Sequence, residues 1–268
     1  MKIKKLWSSI KEKMKEDKIS LCVYVILRIL VLITFIRQVI HQNYENMFLC
    51  LLTLILLIVP SFLQVQLKIE LPTLLEIIIL LFIFSAEILG EIESFYLLFP
   101  YWDTMLHTIN GFLAAAIGFS LVNILNEDSR LQFQLSPLFV VIVAFSFSMT
   151  IGVIWEIFEY MMDCLFRLDM QKDTVINVIS SVSLNSSLNN TPMIISGIND
   201  VFIDGINLNI GGYLDIGLID TMNDLIVNFI GAFCFSIFGF IYIKNKGKGR
   251  IVKMFIPFKN NIKKKESY

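Results

Sequence analysis

Eight ionisable side chains lie within, or at the mouths of, long apolar runs: Glu87, Asp103, His107, Glu156, Glu159, Asp163, Asp220 and Asp224. Charge at the centre of a hydrocarbon layer costs at least about 2.5 kcal/mol per group, so something must offset their presence. Carboxylates with one imidazole suit three kinds of chemistry. They can serve as a general acid/base pair, ligate a divalent metal while leaving positions for water, or relay protons.

The spacing groups these residues on helix faces, because positions i, i+3 and i+4 share a face. Asp103, His107, Asn110/Gly111, Ala114 and Gly118 make one stripe. Ser148, Gly152, Glu156, Glu159 and Asp163 make a second, and Asp220, Asp224, Asn228 and Gly231 a third. Each stripe begins or ends polar and continues in small residues, which let neighbouring helix backbones approach closely. The expected catalytic or ligand groups are Glu156, Glu159 and His107, with Asp103, Asp220, Asp224 and Asn228 positioning. A divalent metal would draw on Asp103, His107, Glu156, Glu159 and Asp224. Like charges crowded in a low dielectric raise one another's pKa values, so a cation, a shared proton or a basic partner is needed as an offset.

Plainer roles compete. Asp103 and Asp220 open helices, where a carboxylate caps free N–H groups. His107 alone suits a hydrogen-bonded packing residue, and Asp163 suits interfacial water. Glu156 and Glu159 resist such readings best.

The elements that must position these groups are membrane spans. The chain of 268 residues is 56% apolar, against roughly 45–50% for soluble domains. Six runs, roughly 20–40, 46–66, 71–90, 104–125, 138–164 and 218–243, approach or exceed the ~20 apolar residues that cross a bilayer. The fold expected is therefore all-α, a polytopic bundle of six spans. Pro60 should kink the second.

Positive charge sets the orientation. Seven lysines fall at or before residue 18, and nine Lys or Arg fall from Lys244 to Lys265. Lys68 and Arg130 mark the second and fourth connections, while the first and third have no Lys or Arg. Both termini are thus expected in the cytoplasm of a bacterial cell, with all eight ionisable groups toward the outer leaflet. Residues 1–19, with Ile3, Leu6, Trp7, Ile10 and Met14 at helical spacing, suit a surface-lying amphipathic segment rather than a nucleic-acid arm. Residues 244–268 make a basic tail.

The connection 165–217 carries five aspartates beside Arg167 and Lys172. Its β-branched stretches and Asn/Ser/Gly joints predict a small β-rich cap outside the membrane. The sequons at Asn185 and Asn189 carry little weight in this composition. Four isolated cysteines, Cys22, Cys50, Cys164 and Cys234, suit packing rather than disulfides. Matching depths on spans 1 and 3 predict two ion pairs, Arg28–Glu76 and Arg37–Glu87.

The strings YWDTMLHTINGFLAAAIGFSL, FSMTIGVIWEIFEYMMD and GGYLDIGLIDTMNDLIVNFIGA resemble an uncharacterised family of Gram-positive membrane-spanning proteins grouped with the YjdF-like proteins. The layout Asp103-x3-His107, Glu156-x2-Glu159 and Asp224-x3-Asn228-x2-Gly231 resembles, more distantly, the VanZ-like family associated with teicoplanin tolerance. Glu159 departs from that pattern, where Gln is usual, and so does the extra cap.

Residues and resemblance together point to an integral membrane protein with an acidic outer-leaflet pocket. Its expected role is to bind or act on a lipid headgroup or a lipid-linked envelope precursor. A proton- or cation-coupled transporter is the alternative, and a purely structural or regulatory membrane protein the third. No broken Gly/Pro span favours transport.

Overall fold

The computed structural model describes residues 18–67, 69–126, 135–187, 189–246, 248–249 and 253–259. Of the amphipathic segment expected over residues 1–19, residues 1–17 lie outside these residues and Lys18 and Ile19 open the first helix. Lys68, Arg130, Arg250 and the lysines beyond residue 259 also lie outside them.

Among the described residues, eight helices carry the architecture: α1 (Lys18–Ile40), α2 (Tyr44–Leu56), α3 (Val59–Leu67), α4 (Thr73–Phe84), α5 (Phe95–Leu98), α6 (Trp102–Asn126), α7 (Pro137–Phe166) and α8 (Leu218–Lys244). Six stretches among them are long and apolar enough to cross a membrane: Lys18–Ile40, Tyr44–Gln66, Thr73–Ile92, Trp102–Asn123, Pro137–Phe166 and Leu218–Lys244. The polytopic helical fold expected from the sequence is the fold found. The second span is interrupted rather than merely kinked. α2 ends at Leu56 and α3 restarts at Val59, with Pro60 in the new first turn, where its missing N–H has no acceptor to lose.

The chain forms two compact units, residues 1–152 with 227–268, and residues 153–226. In the first unit, α1, α2 and α4 bury Leu27, Val31, Cys50, Leu57, Leu80 and Phe84 against one another. α4 continues as a π-helical turn over Ser85–Ile92, which adds Ile88 and Ile92 to that cluster. A second cluster joins α6 to the unit's portions of α7 and α8 through Ala115, Ala116, Phe119, Val140, Ala144, Ala232 and Phe235. Alanines at those crossings let the helices pack closely, as membrane packing requires in the absence of a hydrophobic drive between apolar surfaces. Outward-facing residues of α1 such as Ile29, Ile33 and Ile36 are exposed, as a lipid-facing stripe should be.

The ion pairs differ from those expected. Arg37 pairs with Glu93, not Glu87. The π turn widens the helix by one residue, and Glu93 lies six residues further along the chain, at the level of α1's last turn. Glu76 accepts hydrogen bonds from Ser20 Oγ (2.8 Å) and Gln64 Nε2 (3.0 Å). Arg28 instead donates to the Leu54 carbonyl at 3.2 Å and sits 5.0 Å from the centroid of the Tyr24 ring.

The second unit contains the last turns of α7, the first turns of α8, and the connection between them. That connection is β-rich, as expected, and branched. A stem pairs β2 (Val175–Ile176) with β7 (Tyr213–Leu214). One arm pairs β3 (Val178–Ser181) with β4 (Met193–Ser196), and another pairs β5 (Phe202–Ile203) with β6 (Ile206–Asn207). At the branch point Asn177 Nδ2 donates to the carbonyls of Ile198 (2.7 Å) and Gly211 (3.0 Å). The second arm turns at Asp204–Gly205, both with positive φ (51° and 83°), the backbone a two-residue hairpin demands.

Candidate functional site

In the first unit, Asp103 lies in the opening turn of α6 and His107 one turn later. His107 Nε2 is 3.6 Å from Asp103 Oδ1, and the imidazole side chain is 9% exposed against 32% for the carboxylate. The i, i+4 spacing that suggested a shared face does bring these two groups together.

One turn further, three helices meet around a buried amide. Asn228 on α8 is 1% exposed, and its Oδ1 accepts from Asn110 Nδ2 of α6 at 3.2 Å. Its Nδ2 lies 3.6 Å from Met149 Sδ and against the α carbon of Gly152, where a Cβ would come within 2.7 Å of that nitrogen. Ser148 Oγ of α7 donates to the Gly111 carbonyl of α6 at 2.7 Å. Gly111 packs directly on the Asn228 backbone carbonyl, and Gly231 on the Thr108 carbonyl, with no room for a methyl at either position. The small-residue stripes therefore do what their spacing implied: they bring α6 and α8 backbone to backbone.

In the second unit the pattern of α7 is inverted relative to a soluble helix. Between Val153 and Phe166, the buried residues are Glu156 and Glu159, while Ile154, Ile157, Phe158, Tyr160, Met161, Leu165 and Phe166 are exposed. Glu156 is 5% exposed and Glu159 8%; Asp224, in the opening turns of α8, is 3% exposed. Trp155 Nε1 donates to Glu159 Oε1 at 2.9 Å. Sequence reasoning passed over this indole, although its i, i+4 spacing from Glu159 was a usable signal. Met149 gave none, because a thioether in an apolar span looks like any other packing residue.

Two further acids are occupied with backbone. Asp163 accepts from the N–H groups of Met170 (2.7 Å) and Gln171 (2.9 Å), and Asp220 from that of Lys172 (2.7 Å). Together they fold the first residues after α7 against the start of α8, so Asp163 does more than meet water. Asp215 completes this set through Thr174 N (2.7 Å) and Ile219 N (2.6 Å).

Donors suited to a hard cation or a proton are thus present in each unit: Asp103 and His107 in one, Glu156, Glu159 and Asp224 in the other. Glu87 lies half-buried on the π turn.

A family model described as "Predicted membrane protein (DUF2238)" matches residues 23–245. The chain belongs to that family. The match runs from within α1 to one residue past the end of α8, covering all the residues above. No curated protein and no solved structure matches the chain significantly.

Proposed function

We propose that this integral membrane protein of the DUF2238 family uses its buried acids to bind, or act on, a lipid headgroup or a lipid-linked envelope precursor. One observation carries the reading. Along the last turns of α7, the residues withdrawn from the surroundings are Glu156 and Glu159, while the apolar residues face outward. A membrane helix gains nothing from this arrangement as packing, since isosteric apolar residues would avoid the desolvation penalty. Ionisable groups held inside a span are retained for what they bind or transfer.

In this reading Glu156 and Glu159 are acid/base or ligand groups, with Trp155 fixing the Glu159 carboxylate through its indole N–H. His107 is a proton carrier or ligand, oriented by Asp103. Asp224 and Asn228 position the bound group, and Asp220 holds the loop that begins at Lys172. A divalent cation held by acids of this set would offset their mutual repulsion. The close packing at Gly111, Gly231 and Asn228 supports binding from one face rather than passage through the bundle. The positive-inside pattern supports a cytoplasmic side for both termini. The layout resemblance to VanZ-like proteins agrees with an envelope role.

The test is to purify wild type and a Glu156→Gln/Glu159→Gln double variant from the same membranes and compare co-purifying lipids and lipid-linked species by mass spectrometry. The expected result is a phosphate-bearing lipid enriched on the wild type and lost from the variant. Identical lipid profiles on two equally folded proteins would overturn the reading.

A further inference from the structure

After α8, described residues 253–259 return to the bundle. Ile256, 6% exposed, joins the cluster formed by Ala115, Ala116, Phe119, Val140 and Phe235. The Phe255 ring meets Phe112 edge-on, with centroids 5.1 Å apart, and Pro257 is buried. Phe258–Lys259 (β8) then pairs antiparallel with Ile69–Glu70 (β1), in the register Glu70↔Phe258 and Ile69↔Lys259. β1 is itself fixed, since Leu71 N donates to Gln64 Oε1 at 2.9 Å. This short strap therefore connects the α6–α7–α8 cluster to the α3–α4 connection.

A two-residue ladder and a few apolar side chains hold a segment only weakly, since isolated two-stranded pairings are marginal. What surrounds the strap is charge. Residues 244–268 contain nine Lys or Arg and one acid, Glu266. Lys244, Lys246, Lys248 and Lys253 are exposed, and none of the four has an ion-pair partner among the described residues. Clusters of this size beside a span end are drawn to anionic lipid headgroups within about a Debye length.

We propose that the lysines flanking the strap bind the anionic surface of the leaflet where α8 ends, and that this contact keeps Phe255 and Ile256 seated in the bundle. Neutral lipid or high salt releases the strap. The surface is an electrostatic latch, and its partner is an anionic bilayer.

Hydrogen exchange on the full chain decides it, using vesicles of phosphatidylcholine alone and of phosphatidylcholine mixed with phosphatidylglycerol. A Lys244→Gln/Lys246→Gln/Lys248→Gln/Lys253→Gln variant is measured alongside. The amides of Ile256, Phe258 and Lys259 should exchange at least about tenfold more slowly in the anionic vesicles. The variant should lose that difference, while amides of Ala115–Phe119 stay unchanged in every sample. Equal protection in both lipids would make the strap a fixed element and overturn the latch. Absence of protection in both, or a parallel change in α6, would overturn it too.

Discussion

Asn110 Nδ2 donates to Asn228 Oδ1 across the α6–α8 crossing, within stretches apolar enough to span a bilayer. The Asn110 amide there gives the buried Asn228 oxygen a donor where lipid offers none. Interhelical hydrogen bonds of this kind contribute about 0.6 kcal/mol on average and up to about 1.7 kcal/mol. A double-mutant cycle of Asn110→Ala and Asn228→Ala, read by reversible unfolding in detergent, should return a coupling in that range. Additive single costs would show that the two amides do not act together.

The same crossing fixes what Gly111 and Gly231 can become. Each lies on a backbone carbonyl of the opposing helix, which cannot move aside as a side-chain tip would. Gly111→Ala and Gly231→Ala should each destabilise by about 2 kcal/mol or more, at the upper end of overpacking costs. Gly239→Ala, whose Cβ would meet side-chain ring atoms of Phe119 at 3.0 Å and Phe235 at 3.6 Å rather than backbone, should cost less. Thermal unfolding of the three variants checks the order. Equal losses would mean that the backbone contact is not what decides.

How much of this was legible in the sequence depends on the range of the signal. Asp103 with His107, and the Gly152–Glu156–Glu159 face, followed from helical spacing alone, because a helix fixes which residues share a face. So did the close approach at Gly231. The partner of Arg37 was not legible. The π turn over Ser85–Ile92 shifts the register that depth matching assumed, and nothing in SAEILGEI announces it. The strap was equally hidden: MFIPF is too short a run to show periodicity, and its place beside Phe112 depends on tertiary packing. The β-rich character of the cap could be read from its residues, but its branching at Asn177 rests on two long-range carbonyl contacts.

The connection between α7 and α8 should respond to pH through Asp173. Burial first, and then the neighbouring charges of Asp169, Asp215 and Asp163, push the Asp173 carboxyl above its ordinary value of 3.8, while a hydrogen bond from the Gly217 backbone opposes this. With the folded-state pKa raised, the stabilising contribution is full below the unfolded value and is lost as pH rises through the folded one. Hydrogen exchange of the amides at residues 170–174 should therefore accelerate as pH rises above about 4, after correction for intrinsic rates. Asp173→Asn should flatten that profile. A variant that keeps the full slope would assign it to other acids of the set.

Glu156 and Glu159 give the sharpest contrast between stability and use. If the two carboxylates persist for binding or catalysis, the fold bears a desolvation penalty that neutral amides of nearly equal volume would relieve. Glu156→Gln is thus expected to raise stability by about 1 kcal/mol while abolishing lipid retention. Glu159→Gln keeps an oxygen that can still accept from Trp155 Nε1, and should likewise lose retention. Trp155→Phe, which leaves Glu159 without that donor, should lower stability and weaken retention without eliminating it. These measurements separate the two roles by sign. A site residue loses function as stability rises, whereas a packing residue loses stability and leaves retention untouched. If both Gln variants melt lower than wild type and retain the same lipids, Glu156 and Glu159 hold the bundle together and bind nothing.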